Sequence, residues 1–193
     1  MSRQFQLWVT VAVLAFTGAT VAQTGAKAAV YTALLEGDDK NVDSLANLVV
    51  TNLTIPMRTV NVARSGSPWV SQWEAVPLAL RQAAEQSPPA AAAPLGPDLF
   101  PQGTRLVTRA EVDAAFIPRG PSEDAWASFH RRFNAGGYLN VSDIVFSPDQ
   151  NNALVYYEMR CGGLCGMGAY VWLSRDSGGS RWAIRRRIVS WVS

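Results

Sequence analysis

Residues 141–191 read VSDIVFSPDQNNALVYYEMRCGGLCGMGAYVWLSRDSGGSRWAIRRRIVSW, and this stretch decides the predicted fold. It contains four runs rich in β-branched and aromatic residues, which are typical of strands. The runs are Val141 to Phe146, Ala153 to Met159, Gly168 to Ser174 and Trp182 to Trp191. The segments between them are rich in Gly, Asp, Asn and Ser, as turns are. The pattern predicts a four-stranded antiparallel meander.

A helix over Pro121 to Phe133 is predicted directly before the meander. Proline at its start, acidic residues in its first turn and arginines in its last turn suit the helix dipole. Its aromatic residues fall on one stripe, which we expect to cover a face of the sheet: Trp126, Phe129 and Phe133.

The N-terminal half predicts two further helices and two strands. Apolar spacing indicates helices over Ala26–Leu35 and Pro68–Gln86, the second kinked or divided at Pro77. Runs of β-branched residues indicate a strand within Asn47–Ile55 and another at Thr104–Thr108. We therefore predict an α+β fold in which N-terminal helices precede a four-stranded antiparallel meander packed by a helix.

Residues 1–22 have the pattern of a secretory signal peptide. Arg3 precedes a ten-residue apolar run, and small residues follow up to Ala22. The apolar run is shorter than the roughly 20 residues that a membrane-spanning helix needs. We predict cleavage after Ala22, with Ala19 as the alternative, and export to the periplasm or beyond.

The remaining residues, 23–193, are predicted to form a single domain. The stretch 87–102 holds five prolines and four consecutive alanines, a composition that prevents regular helix and central strand. It could separate two domains, but neither flank alone has the size of a comfortable core. A long Pro/Ala-rich surface loop within one domain is therefore preferred.

The charge and the metal-ligating residues exclude several classes of function. There are 17 Lys and Arg against 15 Asp and Glu, far from the excess of a dedicated nucleic-acid binder. Two cysteines and one histidine cannot supply a zinc site of four thiolates or several imidazoles. We predict no cofactor, no nucleic-acid partner and no stable membrane span after removal of the signal.

The segment Cys161-Gly-Gly-Leu-Cys165 connects the second and third predicted strands. Glycines that take positive φ would let the two thiols meet, and an oxidising compartment favours their pairing. We predict a disulfide between Cys161 and Cys165 that pins a hairpin. A redox pair is the alternative, although the spacing is not Cys-x-x-Cys.

Arg186 is the candidate for contact with a ligand. Alternation along the last strand places it on the side of Trp182, Ile184 and Ile188, unless a bulge intervenes. An inward arginine could grip an anion, with Tyr157 and Glu158 as further contacts; at the rim of the sheet it would instead pair with a carboxylate such as Glu158. The basic edge of this strand also suits a protein or glycan partner.

No common hydrolase motif is present, and no spacing assigns His130 a nucleophile or an orienting carboxylate. We therefore predict an exported, non-enzymatic binding or envelope-associated domain with a small anionic ligand or a protein or glycan partner. The alternative is an exported enzyme that uses His130 or the Cys161/Cys165 loop.

The C-terminal stretch, with ALVYYE, CGGLCGMGAYVWL and the final Trp, resembles a group of exported bacterial proteins without an assigned activity. The resemblance covers about 55 residues from Val141. It implies a small α+β domain with a curved sheet, of the nuclear-transport-factor-like or cystatin-like kind. It implies no activity and no functional residue.

Overall fold

The computed structural model of the chain describes residues 23–37, 45–57, 68–87, 91–118, 120 and 123–193. The predicted signal peptide, residues 1–22, lies outside the described residues. Among these residues, seven strands form one mixed sheet in the order β2-β1-β3-β5-β6-β7, with β4 paired to β5. The strands are β1 (Leu48–Thr51), β2 (Leu106–Val107), β3 (Gly137–Val141), β4 (Val145–Phe146), β5 (Asn152–Gly162), β6 (Cys165–Arg175) and β7 (Trp182–Val192).

The prediction of a four-stranded meander behind N-terminal helices is wrong. Strands β5, β6 and β7 do form antiparallel pairs, but β1 lies between β2 and β3 and pairs in parallel with both. The sheet is therefore wider than the meander, and strands from before residue 108 complete it. The predicted fold also included the nuclear-transport-factor-like or cystatin-like sheet that the resemblance implied, and the seven-stranded mixed sheet with β1 in parallel contradicts that fold as well.

The first predicted meander strand is divided into β3 and β4. At the division, the backbone N–H of Tyr156 donates to the Ser142 hydroxyl, 2.9 Å away, where a regular ladder would use a carbonyl. The next residue, Asp143, accepts from the backbone N–H of Ile144 at 2.8 Å. Polar side chains that bond the backbone locally compete with the ladder, and this ends the strand.

Helices cover both faces of the sheet. They are α1 (residues 23–36), α2 (Pro68–Glu74), α3 (Leu78–Gln86), α4 (Arg109–Ala115) and α5 (Ala125–Phe133). Tyr31 and Leu34 of α1 pack on one face with Val155 and Val171. The opposite face carries α2 to α5 in two apolar clusters, one of which centres on Phe129. In the described part of the chain, no helix is both long and apolar enough to cross a membrane.

The helices predicted over Ala26–Leu35 and Pro68–Gln86 are present, and Pro77 divides the second into α2 and α3 as the sequence indicated. The helix predicted over Pro121–Phe133 is shorter than predicted: it begins at Ala125 because Asp124 caps it, so the acidic residues expected in its first turn precede the helix. One further helix escaped prediction. The helix that was not predicted, α4, begins with a capping box between Thr108 and Glu111. The capping-box motif, Thr followed three residues later by Glu, can be recognised in the sequence and would have predicted the start of α4.

The Pro/Ala-rich stretch contributes to the core through its second half. Leu95 and Phe100 are buried in the cluster under α1. The Leu95 N–H donates to the carbonyl of Asn52 at 2.8 Å, and the Thr54 N–H donates to Ala93 at 2.9 Å. These bonds attach the stretch to the chain that leaves β1.

The environment of Tyr31 predicts how the stability of the fold changes at alkaline pH. Its side chain is fully buried and donates to the Ser142 carbonyl at 2.8 Å. Burial, with a smaller contribution from the negative charge of Asp143, raises the pKa of Tyr31 far above its ordinary value near 10. The folded chain therefore keeps this proton at a pH where the unfolded chain releases it, so stability present below pH 10 is lost as the pH rises.

We expect Tyr31→Phe to lower stability at pH 8 by about 1 kcal/mol, because the hydrogen bond is lost. Between pH 10 and 11 the variant should then lose stability less steeply than the wild type. Urea midpoints followed by far-UV circular dichroism from pH 8 to 11 measure both effects. Equal slopes for the two proteins would contradict the assignment.

Candidate functional site

An open groove of about 870 Å³ runs between the C-terminal end of α1 and strand β7. Ala33, Trp182 and Ile184 supply apolar surface to it. Its basic side chains all come from the start of β7 and the residue before it: Arg181, Arg185, Arg186 and Arg187. Two carboxylates, those of Glu36 and Asp176, lie in the same lining. The groove therefore combines an apolar surface with an excess of guanidinium groups.

A β-bulge decides where the arginines of β7 point. Ile184 stands opposite Leu173 and Arg186 stands opposite Trp172, so Arg185 is an extra residue without a partner position on β6. The bulge moves Arg186 to the face of Trp172, away from Trp182 and Ile184. The sequence predicted Arg186 on the side of Trp182 and Ile184 unless a bulge intervened. A bulge does intervene, and Arg186 therefore lies on the opposite side.

Arg187, not Arg186, is the arginine on the α1 face. Its Nη1 lies 3.4 Å from the Tyr157 hydroxyl, which accepts its hydrogen bond. A Cβ placed on Gly37, directly after α1, would lie 3.3 Å from Nη2 of Arg187. The guanidinium thus lies at the carboxyl end of α1, where the helix dipole favours a positive charge.

The other groove arginines are exposed and differ in their contacts. Arg185 donates from Nε to the Ser174 hydroxyl at 2.6 Å, and Arg181 lies 3.5 Å from the Asp176 carboxylate. Asp176 also accepts from backbone N–H groups; the one of Arg181 contributes most to lowering the pKa of this carboxyl. The charge of Asp176 is therefore compensated within its own turn, and the groove stays positive.

Trp182 forms the buried part of the groove. Its side chain is buried, and the guanidinium of Arg175 lies 4.9 Å from the centre of its ring. Its indole N–H has no hydrogen-bond acceptor among the residues that the structure describes. A buried donor without an acceptor costs about 1–3 kcal/mol.

The predicted contacts Tyr157 and Glu158 are neighbours in β5 and lie on opposite faces of the sheet. Tyr157 packs in the core under α1 and meets Arg187. Glu158 accepts from the Tyr156 hydroxyl at 3.0 Å on the other face and stands opposite Gly168. Arg186 lies on β7, in the next strand pair, where it stands opposite Trp172 of β6. The structure does not bring these three predicted residues together in one site.

Cys161 and Cys165 lie at disulfide distance at the tip of the β5–β6 hairpin. The turn between them forms without positive φ at its glycines, contrary to the expectation from the sequence; positive φ occurs in the described chain at Gly103 and Gly179 among glycines. The tip is exposed, and it lies outside the residues that line the groove.

The glycines after the hairpin tip make room for Trp191. A Cβ on Gly168 would overlap the indole of Trp191 and the hydroxyl of Tyr156. The indole N–H of Trp191 donates to that hydroxyl at 2.9 Å, and the guanidinium of Arg160 lies 4.4 Å from its ring centre. An aromatic ring laid over glycine is a known device that stabilises a strand, and here it holds the end of β7.

His130 is exposed on the last turn of α5, and its Nδ1 donates to the carbonyl of Ala135 at 2.8 Å. The ring of Trp126 lies 5.8 Å away, centre to centre. These contacts secure the turn after the helix. Across the described ranges, no three His, Cys, Asp or Glu side chains are grouped so that they could hold a metal ion.

No family model, curated protein or solved structure matches the chain. The resemblance of the C-terminal stretch to exported bacterial proteins accordingly stays a prediction.

Proposed function

We propose that the chain is an exported, non-enzymatic binding domain that holds an anionic partner in the groove between α1 and β7. The observation that carries the proposal is the lining of that groove, in which four arginines meet an apolar surface that includes the buried ring of Trp182. Guanidinium groups bind carboxylates, phosphates and sulfates through paired hydrogen bonds, which an apolar surface alone cannot provide.

The arginines that remain for a ligand are those whose guanidinium groups have no carboxylate partner among the described residues and keep terminal N–H groups available. Arg187 is occupied by Tyr157 and the end of α1, and Arg181 neighbours Asp176. Arg185 is anchored only through Nε, and Arg186 is exposed beside it. Arg185 and Arg186 are therefore the pair that would contact an anion at the edge of β7, Arg186 from the face opposite α1, while Arg187 adds positive charge on the α1 face.

Export is supported by the signal pattern of residues 1–22 and by the Cys161–Cys165 pair, which an oxidising compartment would keep bonded. Intact mass of the protein recovered from its native compartment tests both features. We expect a chain that begins at residue 23 and has lost two hydrogens from its thiols. A chain that keeps residues 1–22 would overturn the export proposal.

No specific observation favours the enzyme alternative. His130 bonds a backbone carbonyl and the cysteines lie at a hairpin tip, so neither belongs to the groove lining.

The groove is tested by reversing the charge of its free arginines. We expect the variant Arg185→Glu/Arg186→Glu to bind anions at least about tenfold more weakly than the wild type, because two attractive contacts become repulsive. Three probes of different chemistry are titrated calorimetrically: citrate, a heparin tetrasaccharide and hexaglutamate. The matched control is Arg109→Glu, an exposed arginine of α4 that is paired to Asp113 by 3.0 Å.

The proposal requires that at least one probe binds the wild type and the control alike and is lost from the double variant. Equal binding by all three proteins would place the anion site elsewhere. Failure of all three probes to bind the wild type would overturn anion binding itself.

A further inference from the structure

Strand β7 lies at one edge of the sheet and is long for an edge strand. It runs from Trp182 to Val192 and pairs with β6 on one side, and no strand in the described part of the chain pairs with the other side. The consecutive residues Arg181 to Arg187, most of them in this edge strand, line the groove. Every second residue of an edge strand points its N–H and C=O outward, so β7 presents a row of backbone donors and acceptors next to the groove lining.

Two bulges divide β7 into regular segments. The first falls at Arg185, and the second falls between Val189 and Trp191, which stand opposite Ala169 and Gly168. The segments Trp182–Ile184 and Arg186–Val189 keep the regular register with β6. Each is long enough to form one or two pairs of hydrogen bonds with an added strand.

We propose that the anionic partner is an acidic peptide segment that adds as an extended strand to the outer edge of β7. The inference rests on the proposed function and names its partner. Addition of a strand draws affinity from the backbone of the edge and specificity from side chains on the two faces of the sheet.

The two faces of the sheet at β7 favour different side chains on an added strand. On the α1 face, an added strand meets Ala33, Trp182 and Ile184, which favour apolar side chains. On the opposite face it meets the exposed guanidinium of Arg186, with Arg185 bulged out beside it. Because successive residues of a strand point to opposite faces, the fitting peptide alternates acidic and apolar residues.

The same arginines argue against a second copy of the chain as the occupant. An edge-to-edge dimer would bring the arginines of one β7 against those of the other, and like charges directly opposite are destabilising. Bulges and positive charges on an edge strand are devices that prevent pairing between identical copies. Carboxylates on an acidic strand would instead be attracted to the arginines of β7.

The test uses the full chain and an acetylated hexapeptide that alternates glutamate and valine. Three further peptides serve as comparisons: one methylated on every backbone nitrogen, one with lysine for glutamate, and one with the same residues in two blocks of three. We expect the alternating peptide to bind at least about tenfold more tightly than each of these. In nitrogen-15 NMR spectra, outward amides in Trp182–Arg187 should exchange more slowly when it is bound.

Reversing the charges on β7 provides an independent test, in which the preference between two peptides is measured. The variant Arg185→Glu/Arg186→Glu should prefer the lysine–valine peptide to the glutamate–valine peptide, while Arg109→Glu keeps the preference of the wild type. Reversal of the preference cannot arise from simple loss of folding.

Strand addition is overturned if the methylated peptide binds as tightly as the parent, since the backbone then contributes nothing. If citrate or heparin binds in an arginine-dependent manner while the alternating peptide does not, the strand proposal fails and the anion groove stands. A dimer in size-exclusion chromatography that Arg185→Glu/Arg186→Glu alters and Arg109→Glu does not would assign the edge of β7 to a second copy. That result would overturn the peptide proposal.

Discussion

Replacement of Phe129 by alanine is expected to lower the free energy of unfolding by about 3–5 kcal/mol. The side chain is fully buried where α5 meets the sheet. Its ring lies within 6 Å, centre to centre, of four Phe, Trp and Tyr rings: Phe116 at 5.2 Å, Trp126 at 5.4 Å, Phe133 at 4.9 Å and Tyr138 at 5.9 Å. Truncation removes all four contacts and leaves a cavity that such rigid neighbours cannot fill.

Urea denaturation followed by far-UV circular dichroism measures the loss. The control is Leu78→Ala at the start of α3, where the side chain is 59% exposed. We expect this control to change stability by at most about 0.5 kcal/mol. A loss below about 1 kcal/mol for Phe129→Ala would contradict the packing of α5 on the sheet.

Gly137→Ala is expected to be nearly as damaging, with a loss of about 3 kcal/mol. Gly137 begins β3 between β1 and β5. A Cβ there would overlap the carbonyl oxygen of Arg160 and lie 2.9 Å from the Cα of Cys161. Both obstacles are backbone, so no side chain can rotate away and the strands themselves must separate.

Gly25→Ala provides the matched control in the same denaturation experiment. Gly25 lies in α1, and a Cβ on it would meet nothing within 4 Å. Alanine is the better helix former, but Gly25 lies in the first turn of α1, so this change should raise stability by at most about 0.5 kcal/mol. Equal stability of Gly137→Ala and the wild type would show that β3 does not approach β5 as closely as described.

Much of the local structure could be predicted from the sequence, whereas the arrangement of the sheet could not. The three long strands β5, β6 and β7 and the helix α5 follow from residue patterns confined to each segment. The partners of β1 lie far away along the chain, at Leu106 and Gly137. A run of β-branched residues predicts a strand, but it does not identify the distant strands with which that strand pairs.

The sequence showed which residues could line the candidate groove, but it did not show how they are arranged. The run of three arginines and the neighbouring Trp182 were visible, but the face that each arginine occupies depends on a single extra residue, Arg185. Nothing in the composition around Arg185 marks a bulge. The placement of α1 against β7, which turns an exposed edge into a groove, is a tertiary contact without a local signal.

The parallel position of β1 also has a consequence for the order of events during synthesis. Leu48 finds its neighbour Gly137 on β3 only after nearly three quarters of the chain has been made. Until then only the two-residue strand β2, among the described strands, can pair with β1, whereas β5, β6 and β7 can pair as soon as each hairpin is complete. Local pairing precedes distant pairing because closing a long loop costs more entropy. The last third of the chain is thus the template on which the first third folds, and a ribosome that stalls before residue 137 would leave β1 exposed to aggregation.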